Sequence, residues 1–199
     1  MREQIINKAK DLFLNLGFKS VTMDDLASEM GISKKTIYAH FQNKTKLVEA
    51  TTDNLFCAIS QGIEDILNEK YEPIEEIFAI RTFVMNHLKN EKTSPQYQLQ
   101  KYYPKIHATL KIKQFELMQD CVIENLHRGI EKGVFRPNIN IEFISRLYFM
   151  GMMNIKDKDM FPVHTFPAAT LLSDYIEYHI RGIATSKGLD ILNHLLSNE

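Results

Sequence analysis

Only two cysteines, Cys57 and Cys121, occur in 199 residues, and their spacing suits neither a metal site nor a redox pair. Two buried thiols in a reducing cytoplasm are expected. The seven histidines never fall at His-x-x-x-His spacing, so no metal site is expected either. No nucleophile motif, phosphate loop or paired-carboxylate signature appears, which leaves no catalytic residue to name and no cofactor to expect. An all-α enzyme is therefore the weakest of the readings open to this chain. No run of eighteen apolar residues and no leader-like start occur, so a cytoplasmic protein with no membrane role is expected. Strand signals are almost absent.

What the chain has is helical periodicity. Ile5, Ala9, Leu12, Phe13 and Leu16 share one face of a first helix that ends at Gly17, with Phe18 folding back on it. Thr22 and Asp25 have the spacing of a capping box for a second helix, with Asp in the place of the usual Glu. Leu26, Ala27 and Met30 line its buried side. Gly31 ends it, and Ser33 starts a third helix after a short turn. Two short helices joined by a tight glycine-containing turn make a helix-turn-helix. Asn43 starts a long fourth helix, with Phe56, Ile59, Ile63, Ile66 and Leu67 as its stripe. A fifth begins near Pro73 and runs to about Asn90, and Lys92-Thr93-Ser94-Pro95 reads as a link. Further helices follow from about 97 to 103, 104 to 132 and 140 to 155, then a last long one carrying Glu177 paired with Arg181, and a short terminal one.

The net charge of −1 rules out a general polyanion binder, so any nucleic-acid role must come from a local patch. Such a patch exists: no acidic residue lies between Glu29 and Glu49, while Lys34, Lys35, His40, Lys44 and Lys46 do. Residues 1–50 carry eight Lys and Arg against six Asp and Glu. In the third helix Ile37 and Phe41 share the inward face. At about 100° per residue Lys35 and Ala39 point away from them, flanked by Thr36 and Tyr38. A short exposed basic helix preceded by a packed one suits the major groove of DNA. Lysines in its first turn can reach guanine O6 and N7, and Ala39 can meet a thymine methyl. Tyr38, His40 and Lys44 flank it at positions suited to phosphates, and the helix start at Thr22 offers a backbone amide to another.

The stretch from Thr22 to Lys44, with its G-I-S-K-K-T-I-Y-A-H-F-Q-N-K core, preceded by a helix ending in Gly17-Phe18, resembles the TetR family of bacterial transcription regulators. The resemblance is specific over residues 1–50. It implies an all-α protein with a three-helix DNA-binding domain at 1–46 and a helical effector-binding and dimerisation domain at 47–199. It places Thr22, Lys34, Lys35, Thr36, Tyr38, His40 and Lys44 on operator DNA. Ala39 departs from the large aromatic common at its position, which limits readout there to a methyl contact. The implied partners are double-stranded operator DNA, a small-molecule effector and a second copy of the chain.

The middle helices carry polar-tipped aromatics and methionines suited to a small-molecule cavity: Phe83, Met85, His87, Tyr97, Tyr102, Tyr103, His107, Phe115 and Met118. The helix at about 140–155 is apolar nearly all round. It and the last long helix are expected to form the dimer interface, with Leu147, Met150, Gly151, Leu172, Ile176, Ile180 and Ile183 at the contact. The function expected is that of a repressor released by its effector. The alternative is a DNA-binding adaptor whose second domain holds a protein.

Overall fold

The structure, a computed structural model, describes residues 1–88, 95–155, 157, 160–162 and 164–197. Among the described residues ten helices follow one another: α1 (Arg2–Leu16), α2 (Met23–Met30), α3 (Lys34–His40), α4 (Lys44–Asn68), α5 (Pro73–Leu88), α6 (Pro95–Tyr102), α7 (Pro104–Glu131), α8 (Ile141–Asn154), α9 (Ala168–Ile183) and α10 (Ser186–Leu196). The only extended pairing among the described residues is a single antiparallel bridge between Phe135 and Ala184. The expected link at 92–95 falls outside the described residues except for Pro95, which opens α6.

The helices form two compact units. Unit 1 is Met1–Glu64 with Asn86–Lys113. Its core joins Ile5, Phe13, Phe18, Leu26, Ile37, Phe41, Leu47 and Val48 to Leu99 of α6. The division thus differs from one drawn at residue 46, because α6 and the start of α7 pack into the unit that holds the helix-turn-helix. Phe18 stacks back on Phe13, ring centres 5.1 Å apart. Leu16, expected on the apolar face of α1, lies exposed instead, at the last residue of the helix. Cys57 is also exposed, against the expectation of two buried thiols, because it falls beside the apolar stripe of α4 rather than on it.

Unit 2 is Asp65–Met85 with Gln114–Glu199. Its core gathers Ile74, Phe78, Leu126, Phe135, Leu172, Ile176, Ile180, Ile183 and Leu192. A buried polar knot ties α5 to α7. Glu76, only 1% exposed, takes Arg128 Nη2 on both carboxylate oxygens at 2.5 and 2.6 Å, and Asn125 Nδ2 at 2.7 Å. Three hydrogen bonds from two donor groups on one carboxylate answer the cost of removing it from water. Asn125 also donates to the Pro73 carbonyl, so the knot fixes the start of α5 as well.

Candidate nucleic-acid interface

The turn that presents α3 is built by local chemistry. The Thr22 hydroxyl accepts the Asp25 amide at 3.1 Å and the Asp25 carboxylate accepts the Thr22 amide at 2.8 Å, so aspartate closes the capping box as glutamate would. Gly31 takes the left-handed conformation at φ 63°, which a side chain rarely tolerates, and the chain reverses there. Ser33 then caps α3 by accepting the Thr36 amide at 3.1 Å. Ile37 and Phe41 are both buried and hold α3 against the core, with the Arg2 guanidinium 5.2 Å over the Phe41 ring.

With those anchors inward, Lys34, Lys35, Tyr38, Ala39 and His40 face solvent on one short helix. Among the described residues Lys35 makes no hydrogen bond or ion pair, so its ammonium is free to meet an anion or a base edge. Lys34 is engaged: its Nζ lies 2.8 and 2.9 Å from the two Asp24 carboxylate oxygens and 6.0 Å above the Tyr38 ring. That bond to Asp24 raises its pKa. The Thr36 hydroxyl sits 2.8 Å from Ser33 Oγ and serves the cap in this state. Lys44, half-buried at the start of α4, donates to the Lys19 carbonyl at 3.2 Å, and burial lowers its pKa against the opposing pull of Asp25.

Thr22 requires a correction. Its backbone amide, expected to be open to a phosphate, is already bound to the Asp25 carboxylate, and its hydroxyl touches the same carboxylate. The backbone and side-chain bonds from Thr22 lower the pKa of that carboxyl. An anion at this amide would have to displace another anion.

Residues 5–51 match the description of the bacterial regulatory proteins of the tetR family. The chain is 24% identical to the HTH-type regulator YvaF of Bacillus subtilis over 191 residues, covering 96% of this chain and 99% of that protein. It is 22% identical to the HTH-type transcriptional repressor KstR2 of Mycolicibacterium smegmatis, covering 94% and 92%. Residues 5–51 thus carry a helix-turn-helix domain of the TetR family. The described fold is all-helical, and the relatives that match most of the chain are transcriptional regulators. A TetR-family regulator of Agrobacterium tumefaciens shares the fold at a TM-score of 0.74 and 16% identity, over 92% of this chain and 97% of that one.

The residues expected at the effector divide between the two units. His87, Tyr97, Tyr102, Tyr103 and His107 belong to unit 1, and Phe83, Met85, Phe115 and Met118 to unit 2. His87, Tyr97 and Tyr102 are exposed, not enclosed: α6 turns Leu99 into the core and leaves both tyrosines outside against lysines. Tyr103 and His107 are half-buried. Burial raises the Tyr103 pKa, and burial followed by the charge of Lys111 lowers that of His107. Phe115 meets Phe149 edge-on at 5.1 Å.

The residues expected at the dimer contact also divide. Leu172, Ile176, Ile180 and Ile183 are buried within unit 2 of a single chain, so they form its core and present no surface to a partner. Gly151 admits a neighbour, but that neighbour is internal: a Cβ there would lie 2.1 Å from the Tyr175 hydroxyl. Tyr175 reaches across from α9 to the Leu147 and Tyr148 carbonyls, 3.1 Å from each. Leu147 and Met150 remain outward, joined by Phe143 on the same stripe of α8, at 45%, 58% and 61% exposure. Phe143 and Asp24 stand outside the expected contact sets: Phe143 is one of several apolar residues of α8, with nothing in the sequence to single it out, and no motif marks Asp24.

Proposed function

We propose that the protein is a ligand-responsive repressor that binds a palindromic operator as a homodimer and leaves it when a small molecule binds. The observation that carries the reading is α3 itself: a short helix pinned by buried Ile37 and Phe41, with Lys35 unpaired on its outer ridge beside Ala39, Tyr38 and His40. That is the side-chain set the major groove can accept. The outward stripe of Phe143, Leu147 and Met150 supports the dimer, since a row of large apolar side chains left wet favours a covering partner. Two-fold pairing would set the two reading helices on half-sites about 34–36 Å apart. The half-buried Phe83, Met85, Phe115 and Met118 are the candidates for the effector within unit 2, and Tyr103 and His107 those within unit 1. The effector weakens DNA binding by its preference for a form in which the two helices no longer fit, commonly by about 1–3 kcal/mol.

Selection of duplexes from a random pool, followed by quantitative binding of Lys35→Ala, tests this reading. The variant is expected to lose roughly 1–3 kcal/mol for each lost base contact and to relax preference at one base pair per half-site. Equal weakening on selected and random DNA would reduce Lys35 to a phosphate contact. Failure of the wild-type protein to enrich any sequence would remove the function proposed.

A further inference from the structure

From Lys92 to Phe115 the chain has no acidic residue and five lysines: Lys92, Lys101, Lys105, Lys111 and Lys113. The fold places the described part of this second acid-free run, residues 95–113, in unit 1, with the reading helix. The charge separation is then larger than any cut of the sequence at residue 50 suggests. Among the described residues unit 1 carries twelve Lys and Arg against eight Asp and Glu, and unit 2 eight against fourteen. Unit 1 is thus a polycation and unit 2 a polyanion in a chain of net charge −1.

Part of the run is organised beside the expected DNA contacts. The Lys44 ammonium rests on the Lys19 carbonyl at 3.2 Å. The Lys19 ammonium in turn lies 5.2 Å over the ring of Tyr102. Lys101 Nζ lies 5.6 Å over that same ring, 5.5 Å over the ring of Tyr97 and 3.4 Å from the Tyr97 hydroxyl. Gln98 closes the patch by accepting the Lys19 amide at 3.3 Å. A continuous chain of contacts therefore runs from Lys44, next to the reading helix, through Lys19 to the outer face of α6. Both tyrosines are exposed, and no carboxylate is bonded to Lys19 or Lys101 among the described residues. Cations held over aromatic rings keep their positive charge and lose little rotamer freedom when an anion arrives. A line of anions starting at Lys44 would meet Lys19 and then Lys101, and DNA backbone is such a line.

We infer that Lys19 and Lys101, set on Tyr102 and Tyr97, bind the phosphates of duplex flanking each half-site. The partner is the sugar–phosphate backbone, without regard to sequence. This rests on the DNA-binding function proposed above, and it extends the contact surface from the helix-turn-helix to α6.

The test uses the full-length protein and a duplex it selects from a random pool, built in two lengths: the selected core alone, and the core with about one helical turn of arbitrary sequence on each side. Binding is measured as a function of salt for wild type and for Lys19→Gln/Lys101→Gln. Wild type is expected to show a steeper salt dependence on the long duplex, by about 0.9 for each added phosphate contact, or roughly two per protomer. The double variant is expected to bind the core duplex as wild type does and to lose the extra slope on the long one. Identical wild-type slopes on both lengths would overturn the inference while leaving the function intact, and would turn the search toward an acidic protein surface. Equal weakening of the variant on both lengths would overturn it too, by giving the patch a role in the shape of unit 1. A wild-type protein that selects no duplex at all removes both proposals.

Discussion

Ile180→Asp and Leu147→Asp place the same charge on adjacent helices and should do opposite things. Ile180 is 0% exposed in the core of unit 2, amid Ile176, Ile183 and Leu172. Removing its side chain forfeits about 1.5–3 kcal/mol of burial. Seating a carboxyl without partners there adds several more, even if it takes up a proton to avoid the charge. A loss of roughly 5 kcal/mol or above compares with the whole stability of an ordinary domain, about 5–15 kcal/mol. The variant is expected to lose much of its helical signal or to melt at far lower urea, and it should not yield a tidy folded monomer. Leu147 is 45% exposed, and its change should move the stability of the isolated chain by no more than about 0.5 kcal/mol. What it should lose is the partner, and with it tight operator binding. Sedimentation velocity, circular dichroism and operator titration on one preparation separate the outcomes. A well-folded Ile180→Asp monomer would refute the core placement. A Leu147→Asp protein that stays dimeric and binds its operator normally would refute the α8 interface.

Three further outcomes are expected. Arg128→Met should cost about 3 kcal/mol in urea melts by stranding the Glu76 carboxylate, and Glu76→Gln added to it should recover most of the loss; a loss below about 1 kcal/mol would show that water already screens the pair. His179, packed on Tyr148 at 4.8 Å, is pushed down from 6.5 to about 4 by burial, so the unfolded chain binds its proton first. Its contribution is therefore complete above pH 6.5 and fades as pH falls toward 4, by roughly 3 kcal/mol in all, and His179→Gln should flatten that part of the stability–pH curve. Cys57 should react with a thiol reagent in the native protein while Cys121, its thiol raised to about 11 mainly by burial, waits for unfolding; equal rates would contradict the placement of Cys57 outside and Cys121 within.

Where local chemistry decides, the sequence was readable. The caps at Thr22, Ser33 and Asn43, the turn at Gly31, and the inward Ile37 and Phe41 all follow from short-range rules, and each stands where those rules place it. What depends on which helix meets which was not readable. Ile176, Ile180 and Ile183 show the same stripe whether they cover their own core or a second chain, and only the packed fold separates the cases. Tyr97 and Tyr102 suit a cavity wall and a cation-bearing surface equally well as letters. The recruitment of Leu99 into the first core, and of a second basic run with it, joins residues far apart along the chain. Periodicity within one helix carries no record of such a partner.

On the DNA-binding function proposed above, the bond between Lys34 and Asp24 changes how the reading helix searches. A lysine free in water releases condensed cations when it reaches DNA, but Lys34 must first give up a carboxylate at 2.8 Å. Exchanging one anion for another leaves the ion atmosphere nearly unchanged. On that proposal Lys34 adds little to the attraction on arbitrary DNA, while Lys35 reaches the groove with no tether to break. Two adjacent lysines then differ in kind: one meets its base edge untethered, and the other has first to leave a carboxylate of its own protein.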